Sequence, residues 1–318
     1  MTEPGRVFVI GGANADIKSR VDAPLVTGTS NPGATTVRAG GVARNVAESL
    51  ARLGVRVNLL SAVGDDAFGR FVLAQATEAG IDTRSVLTVR DAATGTYNAI
   101  LDADGGLVLG VSSMHVLGAI TADVVHAHEA VVRGASWVVL DANLALGPLD
   151  VALDLAARHS VPVAIEPVSV TKAARLGPLL RPDRTVTLLT PNRDELAALV
   201  GTTVDDNSLA HACGSLHARG VEWVWVRLGA AGSFLSAADG TTTRVPTFAV
   251  DTVTDVTGAG DAALAGYLWA SIRGHDSATA ARYGTAAALC TLRSNGSADD
   301  HLTPHALDEI EQKLREIF

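Results

Sequence analysis

Lysine is almost missing from this sequence. It occurs only at positions 18, 172 and 313, and arginine supplies the rest of the 25 basic residues. The 34 acidic residues leave a formal net charge of −9, which argues against nucleic acid or an anionic membrane surface as the main partner. The two cysteines, Cys213 and Cys290, fall in segments read as helices and offer no disulfide framework, as expected in a reduced compartment. No apolar run approaches the ~18 residues of a membrane helix. The first residues lack a basic start and an apolar signal core, so a cytoplasmic location is the expectation. A Walker A loop is also absent: Lys18 is followed by Ser19, but Ile17 stands where glycine is required.

The 318 residues, 47% of them hydrophobic, suffice for one large α/β domain or a domain with a small insertion. Arg6–Gly12 reads as a first buried strand ending in glycines. Gly40-Gly41 opens a helix running to Leu53, with Val42, Val46, Leu50 and Leu53 as its apolar stripe. A strand is expected over Val55–Val63 and a helix over Asp66–Ala79. From about 121, helices and strands alternate: Thr121–Arg133, Ser136–Asp141, Pro148–Arg158, Val161–Glu166, Thr185–Thr190, Asn192–Leu199, Leu209–Arg219 and Glu222–Leu228. The helix of the 262–274 region, a second over Ala278–Leu292 and a terminal one over Ala306–Ile317 complete the pattern. Two excursions break it. Residues 19–39 are rich in Thr, Gly and Pro, and Thr94–Leu101 with Leu107–Val111 flank an Asp/Gly turn as a hairpin does. Segments of about 15–39 and 94–116 are therefore expected to form one small sheet, a lid that excludes water from a site.

The chemistry centres on Asp255-Val256-Thr257-Gly258-Ala259-Gly260-Asp261, which opens an apolar helix. The amides of Gly258, Ala259 and Gly260, with the positive end of the helix dipole, make an anion site. An aspartate beside an anion is explained if Asp261 removes a proton from an alcohol while the amides hold a phosphoryl group. The bland readings are a first-turn acid that complements the dipole, or a loose dinucleotide fingerprint. Residues 250–255 are too polar for the buried strand that the fingerprint needs. Several strands end in polar groups, at Asn14 and Asp16, at Asp141 to Asn143, at Glu166, and at Thr190 to Asn192, which a doubly wound sheet gathers on one edge. Asn45 falls near the Gly40-Gly41 backbone. Asn192 and Glu195 lie one helical turn apart and could hold waters around Mg²⁺, although spacing alone favours a capping box. Arg227 to Ser233, with Gly229 and Gly232, is either a nucleotide-approaching turn or a plain hairpin.

Four motifs in this order, GGANAD, Gly40-Gly41-x-x-x-Asn45, Asn192-x-x-Glu195 and TGAGD, resemble the ribokinase (PfkB) carbohydrate and nucleoside kinases over residues 6 to about 300. The resemblance implies a ribokinase-like three-layer α/β/α sandwich with a central, mostly parallel sheet and a β lid, and ATP-dependent phosphorylation of a primary hydroxyl. It implies Asp261 as base, the amides of 258–260 as anion hole, and Asn192 with Glu195 on Mg²⁺. It implies Asp16, Gly41 and Asn45 on sugar hydroxyls. Asp255 and Thr257 match positions that bind a monovalent cation such as K⁺ in some members, and homodimers often form through the lid. Ser30-Asn31-Pro32-Gly33, the 40–48 segment and Glu166 to Lys172 look most like pseudouridine kinases, which phosphorylate the 5′-hydroxyl; an aspartate is usual where Glu166 stands. On that resemblance Asn14, Ser30, Gly40, Met114, Asn143, Glu166 and Lys172 join the expected acceptor site, and Asn192, Arg227, Gly229, Gly232, Thr257, Gly258 and Gly260 the nucleotide site. Two alternatives stay open: a kinase for another nucleoside or a ribose-like sugar, and a non-catalytic nucleotide- or sugar-binding regulator.

Overall fold

Successive residues of the strand Arg6–Ile10 enter different layers: Val7 and Val9 join one apolar cluster, Phe8 and Ile10 another, and all four are fully buried. A parallel strand covered by helices on both faces requires this. The structure, a computed structural model, describes residues 5–249, 258–292 and 302–317. Among the described residues, eight strands form the main sheet. In spatial order they are Thr242–Val245, Ser233–Ala237, Val221–Arg227, Val186–Leu189, Val163–Glu166, Trp137–Asp141, Arg6–Ile10 and Arg56–Leu60. The first two pair antiparallel and the rest parallel.

One helical layer contains Val42–Arg52, Ala259–Ile272, Ser277–Thr291 and Pro304–Glu316; the other contains Leu146–Arg158, Arg193–Val200 and Leu209–His217. Ala259–Ile272 is apolar on every side because residues 261–270 are buried all round, between the sheet and its helical neighbours. Both cysteines are buried. No helix of the described residues is long and apolar enough to cross a membrane.

Arg6–Ile10 has Arg56–Leu60 on one side and Trp137–Asp141, much later in the chain, on the other. The direction of winding therefore reverses there, and a crevice opens beyond the carboxyl ends of these strands. A second sheet rises from that crevice. It leaves the main sheet after Gly11-Gly12 and returns at Gly40-Gly41, with Gly33–Gly40, Asn14–Val21, Thr96–Leu101 and Leu107–Ser113 in spatial order. Strand alternation and the observed register give it two unlike faces. Asp16, Lys18, Arg38, Tyr97 and Ser112 share one; Ile17, Val37, Ile100, Leu109 and Val111 share the other.

Some expected elements differ. The single strand over 55–63 is two: Arg56–Leu60 belongs to the main sheet, whereas Ala62–Gly64 pairs with Leu87–Val89, because Ser61 O accepts from Leu87 N where the chain changes partners. The helix over 121–133 breaks at His128, whose backbone (φ −96°, ψ 16°) is not helical, into Ala122–Ala127 and Glu129–Arg133. Two short turns of helix at Val170–Ala173 and Ala174–Leu179 had no periodic signal to reveal them.

Candidate active site

Asp141, the last residue of its strand, is completely buried and organises the crevice. Its Oδ2 accepts from Gly12 N at 2.8 Å and Ala43 N at 3.0 Å, and its Oδ1 from Asn143 N at 2.9 Å. One carboxylate thereby ties the end of the first strand to the first turn of helix Val42–Arg52. Burial raises its pKa, and the backbone donors oppose the rise. Gly41 caps that helix with φ 99°, a left-handed backbone that side chains avoid, and a Cβ there would collide with the Gly12 carbonyl.

That helix delivers Asn45 to Asp261. Asn45 Nδ2 donates to Asp261 Oδ2 at 2.8 Å, joining residues 216 apart in the chain. Asp261 lies in the first turn of Ala259–Ile272, and Gly258, its N-cap, adopts a left-handed conformation (φ 80°). Position alone leaves the amides of Ala259, Gly260 and Asp261 without intrahelical acceptors. Asp261 is 8% exposed. Burial pushes its carboxyl up to about 7; Asn45 and Arg227 oppose the shift, while Glu166 and Asp141 add to it.

Beside Asp261 is a buried network of charges from three strand ends and a helix start. Glu166 Oε1 accepts from Arg227 Nη2 at 2.7 Å, and its Oε2 accepts from Thr190 Oγ1 at 2.7 Å. Arg227 also donates to Thr190 O, and its Nη1 lies where a Cβ on Gly260 would have to be. Burial works against the Arg227 charge, but Glu166, Glu195 and Asp261 outweigh it and hold the pKa above the ordinary value. Asn192 and Glu195 form a reciprocal capping box, Asn192 Oδ1 accepting from Glu195 N at 2.9 Å and Glu195 Oε2 from Asn192 N at 2.8 Å. Glu195 is 3% exposed, and burial together with Glu166 raises its pKa. Its second oxygen, Oε1, carries no hydrogen bond within the box.

On the other side of the crevice, Asn14 Nδ2 donates to Asp16 Oδ1 at 2.6 Å, and the Asp16 carboxylate lies over Gly40, where any Cβ would strike it. Met114 Sδ and the Asn14 side chain both lie against Gly95. Lys172 Nζ donates to Asn143 Oδ1 at 2.5 Å, and burial lowers its pKa. Ser30 is apart from these residues. It lies in an exposed loop at the far end of the hairpin that begins at Asn14 and returns at Gly40, about 20 Å of strand away. Gly229 and Gly232 bracket a short turn between Val221–Arg227 and Ser233–Ala237, beside the Arg227 end of the crevice, and a Cβ on Gly232 would collide with Val245 O. Asp255 and Thr257 lie outside the described residues.

Two residues of the site carry no motif of their own. Asp141 was visible only as a polar strand end. Arg44 is 3% exposed, with its guanidinium on Asn45 and Glu48, but a basic residue one position before Asn45 carries no local signal of burial.

Residues 5–304 match the pfkB family of carbohydrate kinases. The pseudouridine kinase of Escherichia coli is 32% identical over 287 residues, 89% of this chain and 89% of that protein. A carbohydrate kinase from Agrobacterium tumefaciens superposes with a TM-score of 0.82 at 30% identity, covering 97% of both chains. The Arabidopsis thaliana ribokinase, solved with ribose and ATP, superposes with a TM-score of 0.80 at 22% identity over 97% of this chain and 99% of that one. The fold is ribokinase-like, a large, mostly parallel sheet between helices with a small second sheet.

Proposed function

The chain belongs to the pfkB family of carbohydrate kinases, phosphotransferases with an alcohol acceptor, and from that premise we propose that it moves the γ-phosphoryl group of ATP to the 5′-hydroxyl of pseudouridine. The chemistry rests on one observation: a buried aspartate, poised near pH 7 and hydrogen-bonded to Asn45, in the first turn of a helix. Asp261 takes the proton of the acceptor hydroxyl as its oxygen bonds to the γ-phosphorus and the bond to the β-phosphate oxygen breaks, releasing ADP. Amides at the helix start and Arg227 stabilise charge on the transferring group. Asn14, Asp16 and the bare Gly40-Gly41 backbone hold ribose hydroxyls, and Asn143, Lys172 and Met114 line the base side. The buried oxygens of Glu195 suit an ion that prefers oxygen ligands and keeps its waters. Asn192 and Glu195 would hold Mg²⁺ through water, and the ion would neutralise phosphate charge. The four-stranded sheet acts as a lid over the acceptor. The pseudouridine assignment draws its support from the relative at 32% identity and from the 40–48 and 166–172 segments.

ATP-dependent ADP release across pseudouridine, uridine, adenosine, ribose and fructose tests this reading. A kcat/KM at least tenfold higher for pseudouridine is expected. An equal or higher value for ribose or another nucleoside refutes the substrate but leaves the kinase. The pH dependence follows from Asp261. Only its ionised form accepts a proton, so kcat/KM should rise with pH through a limb centred near 7, the value to which burial pushes this carboxyl. A flat profile from pH 5.5 to 8.5 would remove Asp261 as the titrating base.

We also propose a homodimer formed through the apolar lid face. Leu109 and Val111 are 57% and 52% exposed on the edge strand, and Val37 is 44% exposed on the same face. A carboxylate in that patch repels its copy across a two-fold interface. Leu109→Glu with Val111→Glu should halve the mass in light scattering, and a native chain already monomeric at micromolar concentration would refute the proposal.

A further inference from the structure

Asn45 can hold the ionised Asp261 only through its NH₂ group, because its oxygen would repel the carboxylate. An asparagine amide flips easily, and the two ends are nearly equal in shape. Something must therefore fix which end faces Asp261. Arg44 stands on the other side of that amide: its Nη1 donates to Asn45 Oδ1 at 3.3 Å, while Asn45 Nδ2 donates to Asp261 Oδ2 at 2.8 Å. A guanidinium has donors and no acceptor. Flipping the amide would turn NH₂ against the guanidinium and oxygen against the carboxylate, so both contacts would become repulsive.

The guanidinium is itself held in place. Arg44 Nη1 lies 2.6 Å from Glu48 Oε2 one helical turn on, and also donates to Ala39 O at 3.1 Å, on the strand that returns from the lid. Its backbone N donates to Gly12 O at 3.2 Å. Both partners of the ion pair are buried, Arg44 at 3% and Glu48 at 6% exposure, and Arg52 closes the far side of Glu48 at 2.8 Å. A buried pair of this kind contributes little net stability compared with apolar side chains of similar volume.

We propose that Arg44 is a positioning residue: it locks the Asn45 amide with its donor end on Asp261 and so sets the proton affinity of the base. The proposal rests on the reading of Asp261 above, but its test does not require turnover. Asp261 also faces Glu166, Arg227 and Asp141 from the strand ends, all unchanged in the variants below, so a change in its titration reports on Asn45. The stability difference between Asp261 and Asp261→Asn, followed by urea unfolding from pH 4 to 9, gives the folded-state midpoint of this carboxyl directly.

The same comparison is made in an Arg44→Met/Glu48→Met background, which removes the buried pair as a unit, and in Arg44→Lys, which keeps a cationic donor. In the Met background the midpoint should move up by about one pH unit, the size of one lost hydrogen bond to a charge. Arg44→Lys should keep the native midpoint. If the Met pair does not fold, Arg44→Gln with Glu48→Gln, an uncharged donor that also accepts, is held to the same upward shift. A midpoint within 0.3 units of native in the pair-deleted background overturns the proposal and leaves Arg44 a structural ion pair. If Asp261 is not the base, the fault appears elsewhere, as retained turnover in Asp261→Asn with the midpoint shift intact.

Discussion

Asp261→Asn should lose at least 10³-fold in kcat while binding the acceptor nearly as well, and should at the same time be more stable than the native protein at pH 8. Both effects come from one burial. The variant keeps the acceptor atom for Asn45 Nδ2 but has no basic carboxylate, and general-base catalysis of this type supplies roughly 10²–10⁴-fold, here joined to lost charge complementarity at the transferring group. The folded-state pKa of about 7 lies above the unfolded 3.8, so the folded chain holds this proton more tightly. The carboxyl's contribution is fully present below about pH 4 and is lost as the pH rises through 7. Above that range the native chain carries a poorly solvated charge that the asparagine variant lacks, a difference of about 4 kcal/mol. Denaturation at pH 4 should not separate the two proteins, whereas at pH 8 it should do so clearly. Equal stability at both values would mean that the carboxylate is better solvated than its 8% exposure implies.

The second large effect is expected at Arg227. Arg227→Met leaves Glu166 buried at 3% exposure without the guanidinium that now lies 2.7 Å away. Breaking one side of a buried pair costs about 3–5 kcal/mol, because the remaining charge stays desolvated. Replacing Glu166 as well, Arg227→Met with Glu166→Gln, should recover most of that loss, and a double variant no more stable than the single one would refute pairing as the cause. Arg227 also opposes the upward shift of Asp261, so the single variant should move the acid limb of the activity profile above 7. One substitution thereby reports on both the scaffold and the base.

Much of this was legible in the sequence because it is local. The run RVFVIGG could hardly be anything but a buried strand, and Asn192 with Glu195 announced their capping box by spacing alone. The polar strand ends at Asp141, Glu166 and Asn192 were recognisable, and a doubly wound sheet brings them together. Contacts across the chain could not be read. The Asn45–Asp261 bond spans 216 residues and that of Gly12 with Asp141 spans 129, and no periodicity encodes either. The hairpin over 94–111 was visible from its Asp/Gly turn, but the 19–39 excursion carried no pairing signal to say where Ser30 finishes relative to Asn14. The register does, and it carries Ser30 to the opposite end. The break at Ser61 escaped because both halves of the segment are apolar and β-favouring; only the change of partner separates them.

Transfer to the 5′-hydroxyl of pseudouridine is decided by the identity of the product. The protein is incubated with ATP, Mg²⁺ and pseudouridine, and the phosphorylated nucleoside is read by proton–phosphorus correlation NMR. A single new phosphomonoester coupled to the two C5′ protons is expected, absent with Asp261→Asn. A phosphate on another hydroxyl, or no phosphorylated pseudouridine under conditions where the same preparation phosphorylates ribose, would rule out 5′-phosphorylation of pseudouridine.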